Sequence, residues 1–299
     1  MFGEIIRKLA GEDIEIELEK DNILRIQSGS SDITLNLLDV EDYPEPNFTT
    51  NSEPVKIKSS LLKEIVKQTT FASSLNDSKP ILTGVNLRVN ENKILAVSTD
   101  SFRLSKRTAD LNDSFFGMNV IIPARNFNEI AKTIESDNTM VEIYIVSNKI
   151  LFKFDDVTFQ ARLLEGSYPN TDRLIPPEFS NVLKFDKTDL ISAVDRVSTL
   201  SSSQNATTVV KIVVDTNGKV TLTSSSPELG TIKDTIEPIE TKVNEQFTIY
   251  FSAAYFLDAL RAFYSEQVSV KFNNPKETFI IEADNDEGLI ELVLPLKGE

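Results

Sequence analysis

VKIKSSLLKEIVKQ, residues 55–68, and VIIPARNFNEIAKT, residues 120–133, carry one pattern sixty-five residues apart. Val55 falls on Val120, Ile57 on Ile122, Leu62 on Phe127, Glu64 on Glu129, Ile65 on Ile130 and Lys67 on Lys132. Each copy begins with a short alternating stretch that fits a strand with one apolar face. Each continues with apolar residues at i, i+3 and i+4: Leu62, Ile65 and Val66, then Phe127, Ile130 and Ala131. That spacing predicts a helix of about three turns with a single buried stripe. A helix with one apolar stripe covers a sheet on one side only.

The pattern returns twice more, as LKFDKTDLISAVDR (183–196) and FTIYFSAAYFLDALRA (247–262). In the last copy Phe256, Asp258, Ala259 and Arg261 take the places of Phe127, Glu129, Ile130 and Lys132. It also opens the chain, where Phe2, Glu4, Ile5 and Arg7 of MFGEIIRKL fit the same four places. Period-two stretches such as VEIYIV and KILFKF follow the helices, so the fold class is α+β, built from a repeated module. Modules near 55 and 120 make one unit and those near 183 and 248 a second. Pro- and polar-rich separators stand before each, DYPEPNFTTNSEP (42–54) and SYPNTDRLIPPEF (167–179), with Tyr43-Pro44 matching Tyr168-Pro169. The expected domains are 1–50, 51–178 and 179–299. Residues 1–50 read as the second half of a domain whose first half is absent.

The 299 residues hold neither cysteine nor histidine. That removes disulfides, thiolate and imidazole metal sites and every nucleophile–imidazole triad. No G-x-x-x-x-G-K-[ST] or G-x-G-x-x-G is present to hold a nucleotide, so catalysis is disfavoured and no cofactor is expected. The carboxylate pairs Asp155-Asp156 and Asp284/Asp286 are candidate Mg²⁺ ligands. Lying between alternating strands, they fit hairpin turns better. No apolar run has membrane-spanning length, and no signal peptide opens the chain, so a cytoplasmic location is the default.

A net charge of −15 argues against a protein that coats nucleic acid with its whole surface. It leaves room for a local basic face. At about 100° per residue, Lys67 lies roughly 140° around the helix from Leu62, away from the buried stripe. Arg7, Lys132 and Arg261 hold the equivalent place; Asp195 breaks the rule, with Arg196 beside it. Lys63 and Arg125 add charge nearby. Solvated cations are ordinary, but with helices arranged inside about an axis these would line one channel and hold a duplex through its phosphates.

Three separated motifs, KPILTGVNLRV with ILAVSTDSFRLSKR (79–107), LLEGSYPNTDRLIP (163–176) and IELVLPLKGE (290–299), closely resemble the bacterial DNA polymerase III beta subunit family, the replicative sliding clamps. The resemblance covers essentially the whole chain. It implies domains that are each a pair of βαβββ modules, in a head-to-tail homodimeric ring around duplex DNA with no catalytic activity. Implied partners are the DNA polymerase III alpha subunit, the clamp loader and other proteins bearing a clamp-binding motif, all captured through a peptide pocket. By matching motif that pocket would use Leu82, Thr99, Ser101, Phe102, Arg103 and Leu104. Pro169, Arg173 and Leu174 would come from the second separator, and Ser252, Tyr255, Lys276 and Thr278 from the last module. The C-terminal strand would add Leu292, Val293, Leu294, Pro295 and Leu296. Dimer contacts would use Ile33 and Leu35 on one edge and Thr199 with Leu200 on the other.

The chain departs from the family at three points. Phe102 stands where histidine is common, Thr207 falls where an aromatic wall residue can occur, and the first module has no counterpart. A clamp-like peptide-binding module that does not close around DNA is therefore the alternative to a closed ring.

Overall fold

The computed structural model describes residues 1–19, 22–39, 48–50, 52–200, 208–215 and 218–297. Thr207, Tyr43-Pro44 and most of the first separator lie outside the described residues. The chain divides into two compact units, Met1–Thr49 and Thr50–Glu299.

The smaller unit is one helix, α1 (Phe2–Lys8), and an antiparallel sheet of β1 (Glu15–Glu19), β2 (Ile23–Ser28) and β3 (Ser31–Asn36) in that order. Gly29, at φ +59°, makes the tight turn between β2 and β3. Ile26 is buried, but α1 buries no residue, and Ile16 and Leu18 of β1 are exposed.

The larger unit starts with β4 (Val55–Lys58) and α2 (Ser59–Thr69), followed by a long hairpin of β5 (Gly84–Thr99) and β6 (Arg103–Pro123). Then come α3 (Ala124–Thr133), β7 (Met140–Val146), β8 (Lys149–Phe154) and β9 (Val157–Arg162). The sequence predicts separate short strands where β5 and β6 run on. Register shifts between Val89 and Lys93 interrupt the ladder of the hairpin, with Glu91 at φ +53°.

The second pair of modules repeats the plan. It runs β10 (Asn181–Asp186), α4 (Lys187–Ser198), β11 (Val209–Val214), β12 (Val220–Ser226) and β13 (Gly230–Ile236). After β14 (Glu240–Lys242) follow β15 (Phe247–Ser252), α5 (Ala253–Ala262), β16 (Gln267–Phe272), β17 (Phe279–Glu282) and β18 (Leu289–Val293).

Within each pair the modules exchange their opening strands. β4 pairs with β7 of the following module, while the end of β6, the VIIP of that module, pairs with β5. Likewise β10 pairs with β16, and β15 with β11. The exchange makes each pair one hydrogen-bonded body. Leu62, Ile65, Val66, Phe127 and Ile130 share one core, and Leu190, Val194, Phe256 and Leu260 another. Each such side chain contributes roughly 1.5–3 kcal/mol by leaving water.

The helices lie side by side in the order α3, α2, α5, α4, with the sheets behind them. α4 is capped by Asp186, which accepts from the Asp189 N–H at 3.0 Å, and α5 by Ser252, which accepts from the Tyr255 N–H. At the end of α2, Thr69 and Thr70 donate their hydroxyls to the carbonyls of Ile65 and Val66, competing with continuation of the helix.

Candidate functional site

The two module pairs meet where β18 pairs with β6, from Leu289 opposite Arg107 to Val293 opposite Arg103. This seam makes one seven-stranded sheet, ordered β14-β10-β16-β17-β18-β6-β5. Beyond β18 the chain continues along the same line. The Leu294 N–H donates to the Phe102 carbonyl at 2.9 Å, and the Leu296 N–H to the Tyr250 carbonyl at 2.7 Å.

The turn between β5 and β6 is built by its own side chains. Asp100 Oδ1 accepts from the N–H groups of Phe102 and Arg103 at 2.8 and 3.0 Å. Thr99 Oγ1 donates to the Arg103 carbonyl at 2.6 Å and accepts from the Ser101 N–H. Ser101 sits at φ +82°, a conformation costly for a residue with a Cβ and sustained here by those bonds. The turn thrusts Phe102 outward, 54% exposed, where it stacks on Tyr255 at 6.5 Å between ring centroids.

Arg103 points the other way and is only 11% exposed. Its guanidinium pairs with Asp100 Oδ2 at 3.0 Å and Asp258 Oδ2 at 2.7 Å, and donates to the Phe71 carbonyl at 2.7 Å. It lies over the rings of Phe71 and Tyr255, 5.4 and 4.5 Å from their centroids. Each of its three guanidinium nitrogens is engaged within the chain. Arg103 thus braces the seam, whereas Arg173 is exposed. The other cations of the run are also engaged: Lys106 pairs with Asp172 at 3.3 Å, and Arg107 with Glu64 at 2.5 Å.

The remaining residues of the expected pocket divide by depth. Leu104, Leu292, Val293 and Ser252 are almost fully buried, and Leu82 is buried in the turn Pro80–Thr83. Leu104 and Leu292 share a small core with Val97 and Ile280, against which Tyr168, Ile175 and Leu294 pack. At the surface are Phe102 and Leu174, with Leu294, Pro295 and Leu296 half-buried. Leu174 is held near by its carbonyl, which accepts from Thr278 Oγ1 at 3.3 Å. Pro169 and Lys276 are exposed, Lys276 in a turn closed by Asn274. Phe102, Tyr255 and Leu294 therefore converge, with Leu174 and Thr278 joined to each other on the second wall.

Sequence reasoning missed three contributors. Tyr168 accepts the Thr99 N–H on its hydroxyl at 3.0 Å, and burial pushes that hydroxyl's ionisation well up. Phe71 and Asp258 hold Arg103. The repeat contained the signal for Asp258: it stands where Glu64 and Glu129 stand, and Glu64 likewise reaches down to grip β6, at Arg107.

On the helix row, Lys67, Lys132 and Arg261 are exposed at equivalent turns of α2, α3 and α5. Lys67 Nζ lies 3.9 Å above the Tyr264 ring, and Lys132 pairs with Glu129 at 2.9 Å. Arg261 reaches Asp195 at 3.6 Å, Arg196 pairs with Asp234 at 2.7 Å and Lys63 with Asp137 at 2.8 Å. Arg125 is exposed at the start of α3. In the smaller unit Arg7, exposed on α1, donates to the Gly3 carbonyl. Surface pairs of this kind are worth about 0–1 kcal/mol each and yield readily to a competing anion.

Asp155 and Asp156 form the turn between β8 and β9, and Asp284 the one after β17. Asp286 is buried and accepts from the N–H groups of Tyr264 and Ser265. No group of three ligating side chains gathers among the described residues. Ile33 and Leu35 lie half-buried on the edge strand β3, whereas Thr199 and Leu200 follow α4 outside any strand.

Family models match the chain throughout: the N-terminal domain of the DNA polymerase III beta subunit over residues 1–48, its central domain over 56–170 and its C-terminal domain over 172–297. The chain belongs to the DNA polymerase III beta subunit family. The beta sliding clamp of Bacillus subtilis (strain 168) is 34% identical over 297 residues, covering 99% of this chain and 78% of that protein. The crystal structure of the Bacillus subtilis clamp superposes with a TM-score of 0.90 at 33% identity, over 100% of this chain and 78% of the other. A beta chain from Streptococcus pneumoniae TIGR4 gives 0.90 at 34%, covering 99% and 78%. The beta-subunit fold thus accounts for the repeated modules, and the family's association with DNA replication applies to this chain.

Proposed function

We propose that this beta-subunit chain is a non-catalytic processivity factor. It encircles duplex DNA as a head-to-tail homodimer of three-domain chains, divided at about residues 50 and 178. It tethers the DNA polymerase III alpha subunit, the clamp loader and other motif-bearing proteins at the groove beside the seam. The observation that supports this reading is the row of four adjacent helices, three of which carry a cation at the repeat-equivalent, solvent-facing position, in a chain of net charge −15. Such a face holds phosphates without reading sequence, and a closed ring stays on DNA by topology rather than affinity.

The groove suits a short peptide with apolar anchors. Phe102, Leu174 and Leu294 offer apolar surface, Arg173 offers charge, and the rigid turn is set before a partner arrives. Ile33 and Leu35 on the β3 edge, with Thr199 and Leu200, are the proposed subunit contacts.

The protein, loaded on nicked circular DNA, is expected to remain through gel filtration and to leave when the circle is cut. Equal retention on circular and linear DNA would refute encirclement. The double variant Phe102→Ala, Leu174→Ala is expected to weaken an apolar-ended polymerase peptide at least about tenfold, at unchanged solution mass. A strict monomer that still binds the peptide would leave the groove standing and remove the ring.

A further inference from the structure

Behind the groove, the seam holds an acid with no cation bonded to it. Glu291, in the middle of β18, is 1% exposed. Its register partner is Ser105 of β6, and its Oε1 lies 2.8 Å from Ser105 Oγ. The same hydroxyl lies 2.5 Å from the main-chain carbonyl of Gln68, near the end of α2.

Proton counting decides the state of this chain of oxygens. A hydroxyl carries one proton, and a carbonyl can only accept. At 2.5 Å two oxygens repel unless a proton lies between them, so Ser105 donates to Gln68. Nothing is then left for Ser105 to give Glu291. The 2.8 Å contact is a bond only if Glu291 donates, which requires the protonated carboxyl.

The surroundings agree. Arg103 is the nearby cation and draws the Glu291 carboxyl down, but burial outweighs it and its hydrogen bonds go to Asp100, Asp258 and Phe71. From α5, Asp258 places a carboxylate that disfavours a second negative charge. On the next rung of β6, Arg107 is occupied by Glu64 of α2 and the Glu287 carbonyl. On the other side β17 sets apolar Ile281 opposite Glu291. Burial, the largest influence, pushes the Glu291 carboxyl well above the ordinary carboxylate range. Gln68, itself fully buried, adds a side-chain bond from Nε2 to the Ala262 carbonyl of α5.

We propose that Glu291 is a neutral carboxylic acid whose proton begins a directed chain, Glu291 to Ser105 to the Gln68 carbonyl, fastening β18 to β6 and α2 across the seam. Ionisation unfastens it. The seam is thereby an alkaline-sensitive latch between the two module pairs, independent of whether the chain encircles DNA.

Two measurements test the latch in the whole chain. In infrared difference spectra at neutral pH, wild type minus Glu291→Gln should show the carbonyl stretch of one protonated carboxylic acid. Ser105→Ala should keep that band but shift it, because the acid loses its acceptor. No such band would overturn the proposal, and the Ser105→Ala comparison with wild type serves if the Gln variant does not fold.

The second is stability against pH. A carboxyl raised in the folded state contributes fully below its unfolded value of 4.5 and loses that contribution as pH rises toward the folded value. The ratio of unfolding constants, wild type over Glu291→Gln, should therefore climb by up to about tenfold per pH unit above that point. A ratio that stays flat from pH 5 to 8 would overturn it equally.

Discussion

Phe2, Phe127 and Phe256 hold one place in the repeated module, and their surroundings differ completely. Phe127 and Phe256 are 0% and 2% exposed; Phe2 is 46% exposed. The first two belong to modules that trade opening strands with a neighbour and cover each other's helices. The smaller unit has the module's helix and three of its strands but no exchanged partner among the described residues. The apolar stripe is therefore written for a pair. A module's sequence specifies its secondary structure by itself, whereas its burial is specified by what it is paired with.

The sharpest way to break this comparison is to remove the same ring from both settings. Phe127→Ala leaves a cavity beneath α3 and is expected to cost about 3–5 kcal/mol. Phe2→Ala is expected to cost no more than about 0.5 kcal/mol. Urea unfolding of the two variants checks both, with midpoint shifts at unchanged slope. A large loss from Phe2→Ala would mean that the face of α1 is covered in solution.

Charged contacts divide in the same way. Arg103→Leu strips Asp100 and Asp258 of their common partner at the seam. Asp258 is 39% exposed, so the loss falls short of the about 3–5 kcal/mol of a fully buried break and is expected near about 2 kcal/mol. Arg25 in the smaller unit pairs with Asp32 at 2.6 Å in open solvent, and Arg25→Leu is expected to destabilise less. The Arg25 guanidinium holds the Asp32 carboxyl below its ordinary range. Its small contribution is thus present at neutral pH and fades as pH falls through that range, a trend that high salt should flatten. Equal losses from the two arginines would dissolve the distinction.

How far the sequence reached follows from the distance over which each feature is decided. Strand, helix and stripe are set within fourteen residues, so aligning 55–68 with 120–133 suffices for them. The exchange of opening strands is set by pairings such as Val55 with Ile143, which local periodicity does not encode. The resemblance marks the turn at Thr99–Leu104 as part of a peptide pocket and counts Arg103 among its residues, but it does not show what Arg103 bonds within the chain. Its partner Asp258 is 155 residues away, and only the fold makes it a brace. Gln68 is a polar residue near the end of α2. It is buried because α2 meets α5 there, a contact between module pairs that neither sequence pattern announces.

The smallest stability effect carries the finest discrimination between the two regions. Arg7 and Lys132 are equivalent in the module and both exposed; Arg7 donates to its own helix, and Lys132 pairs with Glu129. Replacing either with alanine should change stability by no more than about 0.5 kcal/mol. If both face phosphates, each substitution should lower the salt dependence of binding to short linear duplex by about one unit of slope, equally for any sequence. Lys93→Ala, at the exposed register shift of the β5–β6 hairpin and away from the helix row, should leave the slope unchanged. A slope lowered by Lys132→Ala and untouched by Arg7→Ala would confine the DNA-holding face to the paired modules. The unpaired module would then keep the repeat's sequence pattern without its function.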